Sequence, residues 1–429
     1  MTDDRSQPRP QPAAVRVRGV EHKGEKKYWT GTQRSVAPEQ TLETIRPVMR
    51  KAGITRLANI TGLDRIGIPT TLSMRPNGLT LSNSSGKGLT MEAAMASGAM
   101  EAIELFHAEV CRLRSERLSY HQVADRYPCL TVDELPLARS APFTPDWPYL
   151  WTFGWDLVAQ HEVALPLCMV HMGNRQERID DLFSFQVTSN GLASGNNMLE
   201  AINAGLFEAV ERDAVTCHRE RWHTTGEAPP VVKLETVEHP LARKLLDHLE
   251  GVGIATIMFD CTLDTDVPVY MVFLVDLLWQ NVGVFKGYGA HLDPEIAMTR
   301  ALTEAAQGRV VNIAGSRDDL FRHKERRLRS DLNDRSAMGL LAHLEPAVDA
   351  RERRSEASPT FEGDTLLAVE KLRAAGLSKV LVVDLSRDDF PVNVVKVVVP
   401  GLEGYTFENY RPGRRALAFA GKDVDRRAR

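Results

Sequence analysis

The feature that most constrains this chain is residues 195–214, GNNMLEAINAGLFEAVERDA, whose apolar positions have helical spacing. A polar, glycine-containing turn at residues 194–196 precedes it. At about 100° per residue, helix positions eight and eleven apart lie within about 80° of the start. Glu200, Glu208 and Glu211 therefore share one helix face, where like charges repel. A basic partner or a bound divalent cation must offset that repulsion.

The same acidic pattern occurs twice more, which predicts an internal repeat. Glu101 and Glu104 lie 107 residues before the pair at 208 and 211 (208 − 101). Glu304 and Gln307 lie 96 residues after that pair (304 − 208). Each copy follows a glycine-rich stretch, at residues 86–88, 194–196 and 286–290. We predict three helices, each presenting two acids, or an acid and an amide, after a glycine-rich turn.

Composition limits the class of protein. The 429 residues are 43% hydrophobic, enough for a large core, and the net charge of −4 gives no indication of a nucleic-acid partner. Five scattered cysteines without a CxxC motif suit a reducing compartment and exclude a cysteine zinc site. Residues 1–27 do not resemble a signal peptide, and the apolar run 267–285 is interrupted by Asp276. We expect a cytoplasmic protein without membrane or nucleic-acid partners.

Strand-like and helix-like segments alternate along the chain, which predicts a layered α/β (α+β) fold. Predicted strands cover 54–60, 67–74, 150–156, 163–170, 184–190, 254–260, 268–274, 379–385 and 392–399. The third acidic helix covers 294–311, and two further helices cover 37–52 and 242–250. We expect residues 1–28 to be a disordered tail and residues 416–429 a basic tail. Residues 29–415 form the folded domain, with insertions near 120–150 and 318–362.

The sequence resembles the YcaO family in six motifs that occur in one order between residues 54 and 415. They are residues 63–69 (LDRIGIP), 86–88 (GKG), Ser97 with Glu101 and Glu104, Gly195-Asn196 with Glu200, Glu208 and Glu211 followed by Arg212-Asp213-Ala214, and Glu304 with Gln307 and Arg309. Residues 384–385 and 399–402 (VPGL) also match the family. A single ExxE pair occurs by chance in many helices, whereas six ordered motifs identify a family.

The resemblance implies a YcaO-type fold and an enzyme that uses ATP and Mg²⁺. It assigns metal binding to Glu101, Glu104, Glu200, Glu208, Glu211, Glu304 and Gln307. It assigns nucleotide contacts to Lys87, Ser97, Asn196, Glu200, Arg212, Gln307 and Arg309, and catalysis to Glu208, Glu211, Arg212 and Arg309. Oxygen ligands shared with phosphates suit Mg²⁺, a hard cation.

The implied reaction is phosphorylation of a peptide amide oxygen after a nucleophile adds to the carbonyl carbon. External sulfide then gives a thioamide, and an internal Cys, Ser or Thr gives an azoline. The implied substrate is a ribosomally made peptide or protein, and the implied assembly is a homodimer. The chain has no proline-rich ending, which favours members that act with a TfuA-like partner and form thioamides.

Other interpretations of the same residues remain open at this stage. The glutamate pairs also suit a solvated helix face, and the arginine-rich residues 322–329 suit either such a face or a phosphate or leader-peptide contact. Lys87 is not part of a P-loop, because no Ser or Thr follows it. Leu105 stands where the family usually has Arg, and this favours the alternative of a nucleotide-binding scaffold without turnover.

Overall fold

A computed structural model of the chain describes residues 14–139, 142–173, 175–278, 283–316, 343–404 and 410–422. These residues form a mixed fold of helices and largely antiparallel sheets. Within those ranges, no helix combines the length and apolar character needed to cross a membrane. Residues 322–329, whose role the sequence left open, lie outside the described residues.

The described strands form four antiparallel or mixed sheets. A hairpin pairs β1 (Val15–Val17) with β2 (Val20–His22), and a second sheet has the order β3 (Arg56–Asn59), β4 (Thr70–Met74) and β5 (Asn83–Lys87). The six-stranded sheet contains β6 (Glu116–Leu118), β7 (Tyr149–Asp156), β8 (Glu162–Pro166), β9 (Leu192–Gly195), β15 (Leu381–Asp384) and β16 (Asn393–Val398). The five-stranded sheet contains β10 (Val231–Val232), β11 (Ile254–Asp260), β12 (Val269–Asp276), β13 (Val284–Ala290) and β14 (Pro346–Val348).

The helices pack on these sheets and bury most of the apolar side chains between the layers. Their bounds are α1 (Pro38–Ile45), α2 (Met91–Val110), α3 (Tyr120–Arg126), α4 (Arg175–Asp180), α5 (Met198–Thr225), α6 (Pro240–Gly251), α7 (Pro294–Ala314), α8 (Phe361–Ala374) and α9 (Arg414–Phe419). The layered fold predicted from the alternation of strand and helix patterns is confirmed.

The internal repeat appears as three strand–helix units, β5–α2, β9–α5 and β13–α7. The three helices start 107 and 96 residues apart (198 − 91 and 294 − 198), which are the offsets of the acidic motifs. Each helix is capped at the residue before its start by Thr90, Asn197 or Asp293, whose side chain accepts a hydrogen bond from a backbone N–H of the first turn. The cap sets where each helix begins and hence which face carries its acidic pair.

The glycine-rich stretches before these helices are strands, not the turns predicted from sequence. Gly86 lies in β5, Gly195 in β9 and Gly287 in β13. A Cβ atom on Gly86 would lie 2.0 Å from the carbonyl oxygen of Ala94 in α2, and one on Gly287 would lie 2.1 Å from that of Ala301 in α7. The glycines are needed because each helix backbone presses directly on its strand.

Two other segments differ from the predictions. The strand expected at 184–190 lies later, as β9, and residues 14–28, expected to be disordered, contain the β1–β2 hairpin. Val15 and Val17 are buried in the main core, and the Lys26 ammonium is buried in an ion pair with Asp364. This segment is ordered by contacts with α8 that no local sequence pattern reports.

The predicted C-terminal tail and the predicted insertions contain ordered structure where they are described. Residues 414–419 form α9, which is held by three hydrogen bonds from Arg415 to Asp213 in α5, at 2.9, 3.1 and 3.2 Å. The segment 120–150 contains α3, capped by Ser119. Of the segment 318–362, residues 343–362 include β14 and the start of α8, and the rest lies outside the described ranges.

Replacing Gly86 by Ala should lower the free energy of unfolding, because the added methyl group overlaps the α2 backbone. Overpacking costs about 1–3 kcal/mol, and a clash with backbone belongs at the upper end. Gly251→Ala is the matched control, since none of the described residues has an atom within 4 Å of its added Cβ. Urea unfolding should show a lower midpoint for Gly86→Ala and an equal or higher one for Gly251→Ala. Equal midpoints for Gly86→Ala and the wild type would contradict the packing argument.

Candidate active site

One large cavity lies between the three repeated units, and its volume is about 710 Å³. Helices α2, α5 and α7 each contribute their acidic pair to its wall. The predicted site residues that line it are Lys87, Ser97, Glu101, Glu104, Asn196, Glu200, Glu208, Glu211, Arg212, Glu304 and Gln307. The glutamates therefore converge on a common interior space instead of facing bulk water.

The carboxylates in this cavity are poorly stabilised by the protein alone. Desolvation raises the pKa of Glu104 to about 8, although the backbone N–H and hydroxyl of Ser194 donate to it at 2.8 and 2.6 Å. Desolvation also raises the pKa of Glu208 and of Glu211, against the opposing charge of Arg212. The buried Oε2 atom of Glu211 has no hydrogen-bond partner in the described part of the chain. The cavity thus carries more negative charge than its own cations offset.

Two cations neutralise part of this charge across the repeats. Arg212 lies 3.4 Å from a Glu211 oxygen and 3.8 Å from one of Glu208, and it stacks over the Tyr288 ring at 5.5 Å. The Lys87 ammonium on β5 donates to Glu304 on α7 at 2.8 Å. Desolvation acts to raise the pKa of Glu304, but Lys87 and Arg212 outweigh it, so that this pKa is lowered. The Lys87–Glu304 pair ties strand β5 to helix α7, while Arg212 pairs within α5 and contacts Tyr288 of β13.

The oxygen-rich wall fits a divalent cation that is completed by other ligands. In the described ranges, no group of three or more His, Cys, Asp and Glu side chains is arranged to hold a metal by itself. Mg²⁺ commonly takes one or two carboxylates and fills its remaining positions with water and phosphate oxygens. The unpartnered Glu211 oxygen and the raised pKa of Glu104 are the features expected of such ligands before the cation binds.

Glu200 makes protein contacts that the metal-ligand prediction did not include. Its Oε2 accepts from the backbone N–H and the hydroxyl of Ser35 at 3.0 and 2.7 Å. Its Oε1 accepts from the Asn196 amide at 3.0 Å and lies 3.6 Å from the Arg34 guanidinium. Both oxygens already have partners, so Glu200 anchors the N-terminal segment to the first turn of α5 instead of offering a free ligand.

Arg309 does not line the cavity, which corrects its predicted place beside phosphates. Its side chain is buried, with Nε 2.8 Å from Asp64 and Nη2 2.9 Å from Asp276. Arg65 reaches the same Asp276 carboxylate with two hydrogen bonds of 2.7 Å. Arg309 follows Gln307 by two residues, so it points about 200° around α7, away from the acidic face. It joins α7 to the segment before β4.

Other lining residues were not predicted from sequence. Arg300 precedes Glu304 by one helical turn and so could have been found from the i, i+4 spacing. Tyr288 and the N-terminal residues 28, 30–32 and 34 also line the cavity, but they belong to no acidic motif. Leu105 lies in the wall and is 5% exposed, so the position after Glu104 contributes no cation.

Arg309→Ala should destabilise the fold, because the buried carboxylates of Asp64 and Asp276 would each lose an ion pair with Arg309. Breaking a buried ion pair from one side costs about 3–5 kcal/mol. Arg56→Ala, at an exposed position of β3, is the control for loss of an arginine. The urea midpoint should fall for Arg309→Ala and stay at the wild-type value for Arg56→Ala. A wild-type midpoint for Arg309→Ala would show that the Asp64–Arg309–Asp276 network contributes little.

Comparison with known proteins identifies a family and a number of similar chains, among them one relative and two solved structures. The family model described as YcaO cyclodehydratase, ATP- and Mg²⁺-binding, matches residues 85–403. An uncharacterized protein in the tfuA 3′ region of Rhizobium leguminosarum bv. trifolii is 35% identical over 391 residues, which cover 86% of this chain and 88% of the relative.

The two solved structures share the fold. A heterocyclase in complex with substrate and cofactor has a TM-score of 0.77 and 23% identity, and the match covers 96% of this chain and 57% of the heterocyclase. The structure of YcaO from Methanopyrus kandleri, bound with AMPPCP and Mg²⁺, has a TM-score of 0.65 and 26% identity, with 89% of this chain and 95% of that chain covered. This chain therefore spans little more than half of the heterocyclase but nearly all of the archaeal protein.

Proposed function

The chain belongs to the YcaO family, which binds ATP and Mg²⁺, and on that premise we propose that it activates a backbone amide of a ribosomally made peptide or protein by phosphorylating the amide oxygen. The observation that carries the proposal is the convergence of glutamate and glutamine side chains from three repeats on one cavity, where the Glu211 Oε2 atom has no hydrogen-bond partner among the described residues. The Methanopyrus kandleri relative, bound with AMPPCP and Mg²⁺, supports a nucleotide in this cavity.

In this proposal the cavity residues have different roles. Glu101, Glu104, Glu208, Glu211, Glu304 and Gln307 would hold Mg²⁺, which neutralises the charge of the bound triphosphate. Lys87, Arg212 and Arg300 would face the phosphates, while Ser97 and Asn196 contact the rest of the nucleotide. Such catalysis depends on positioning and electrostatic stabilisation, with little covalent chemistry for the protein to do. Glu200 positions the N-terminal wall through Ser35.

The reaction is balanced with ATP as the phosphoryl donor. Sulfide adds to the amide carbon, and the oxygen of that adduct attacks the γ-phosphorus of ATP and releases ADP. Loss of phosphate, with loss of the thiol proton, then breaks the carbon–oxygen bond and leaves a carbon–sulfur double bond. With an internal Cys, Ser or Thr side chain as the nucleophile, loss of phosphate is accompanied by loss of the amide N–H proton, and a carbon–nitrogen double bond forms in an azoline ring. The cations Arg212 and Lys87 offset the negative charge that accompanies phosphoryl transfer.

We infer that thioamide formation is the reaction, with a TfuA-like protein as the partner. The relative whose gene lies in the tfuA 3′ region supports this choice, since it matches most of both chains. The homodimeric state and the cytoplasmic location expected from the sequence belong to the same proposal. Azoline formation is the competing outcome, favoured by the cyclodehydratase description of the family.

Glu208→Gln and Glu211→Gln should each abolish ATP consumption while leaving the fold intact, because the neutral amide keeps the shape and removes the charge that holds Mg²⁺. Phosphate release is measured with the peptide and partner present. The wild type should also gain thermal stability from ATP with Mg²⁺, and both variants should lose most of that gain.

Glu92→Gln is the matched control, because Glu92 lies on the same type of helix but is exposed. It should release phosphate and respond to nucleotide as the wild type does. Wild-type turnover in Glu208→Gln or Glu211→Gln would show that these carboxylates do not support the reaction.

The mass of the product distinguishes the two chemistries. Incubation of the precursor peptide with the protein, its partner, ATP, Mg²⁺ and sulfide should exchange one oxygen for one sulfur. Loss of one water per modified residue would instead establish azoline formation. Binding of ATP without any ADP release in the complete mixture would leave a scaffold as the function.

A further inference from the structure

A second cavity, of about 660 Å³, meets the first one at Arg212, which lines both. The two cavities also meet along the segment before β9, where Ser189 faces the first cavity and Thr188 and Asn190 line the second. On α5, Glu208 belongs to the first cavity and its neighbour Ala209 to the second. The second cavity therefore opens beside the acidic pair of α5, and not at the distant end of the first cavity.

The walls of the second cavity are built from loops and from the end of β16. They include residues 131–137, 375–378, 396–404, 410, 411 and 413–415, and thus the 399–402 motif. Gly401 has a φ of +96°, which L side chains rarely adopt, so glycine is required for the turn closed by the hydrogen bond from Leu402 N–H to the Val399 carbonyl. Much of the wall is thus aliphatic side chain and loop backbone.

Charges on these walls are largely paired within the protein. Lys379 donates to both oxygens of Glu134 at 2.7 and 2.8 Å, and Arg415 is bound to Asp213. The Glu403 carboxylate accepts from Tyr410 and from the Gly413 N–H at 2.6 and 2.8 Å. An occupant of this cavity consequently needs no net charge of its own.

Among the described residues, the wall contains a buried polar atom that makes no hydrogen bond. The Asn190 Nδ2 atom is buried and has no hydrogen bond within the described residues. An amide N–H donor in this position suits a carbonyl acceptor, and a peptide backbone supplies one at every residue. Lys396 lines the same wall, where its ammonium is buried and donates to the Thr188 carbonyl.

We propose that the second cavity binds an extended, uncharged segment of the substrate peptide and presents one of its carbonyl groups at the junction formed by Arg212 and Lys396. This inference rests on the proposed function and adds where the substrate lies. The volume of the second cavity is within the range typical of ligand sites, roughly 300–1,000 Å³. A peptide seated there reaches the phosphate side of the first cavity without crossing the nucleotide.

Photolabelling of the full-length protein tests the proposal. The probe is a library of neutral, end-blocked decapeptides with a central photo-leucine, and labelled residues are mapped by mass spectrometry. We expect saturable labelling of the second-cavity walls, at Leu377 and residues 399–402. Ser378→Trp should reduce it by about tenfold or more, since a clash of only ~1.4 kcal/mol changes occupancy tenfold.

Ala374→Trp is the matched control, because Ala374 is exposed at the end of α8 and lies outside the cavity wall. It should leave the labelling unchanged. Labelling confined to other surfaces, absence of saturable labelling, or equal labelling in Ser378→Trp and the wild type would each overturn the proposal.

Phosphate release in the same samples separates this inference from the proposed function. Library-stimulated phosphate release with labels outside the second cavity would overturn the peptide site and leave amide activation standing. Saturable labels in the cavity, lost in Ser378→Trp, with no phosphate release under any condition would support the peptide site and count against amide activation.

Discussion

The burial of several carboxylates around one cavity is the constraint on which this structure depends. Glu104, Glu208 and Glu211 have pKa values raised by desolvation, so that the folded protein holds them at an energetic disadvantage near neutral pH. Arg212 and Lys87 reduce that disadvantage without removing it. A protein retains such an arrangement where a cationic ligand completes it, and this links the stability of the fold to the nucleotide and Mg²⁺ that the family binds.

The repeat explains how three distant stretches come to share one cavity. Each unit places a strand directly under a helix, and the absence of a side chain at Gly86 or Gly287 lets the two backbones touch. The caps at Thr90, Asn197 and Asp293 fix the helix starts at matching positions. Rotation of any one helix by a single residue would turn its acidic pair about 100° away from the common space.

Segments outside the three strand–helix units complete this arrangement. The N-terminal segment closes one side of the cavity through Ser35 and Arg34 on Glu200, and α9 closes another region through Arg415 on Asp213. Arg309 serves the frame and not the site, because two aspartates hold it behind α7. Leu105 supplies no cation to the cavity, while Arg212 and Arg300 lie in its wall.

The sequence by itself determined the acidic helices, their repeat and the glutamates that line the cavity, because helical periodicity is local and fixes which side chains share a face. The strands predicted at 254–260 and 392–399 were also found, because runs of apolar, β-branched residues are a local signal too. Only the tertiary structure decided that the glycine stretches are strands, that residues 14–28 are ordered and that Arg309 points away. These outcomes depend on contacts between residues far apart in the chain, such as Lys26 with Asp364, and no local pattern records such contacts.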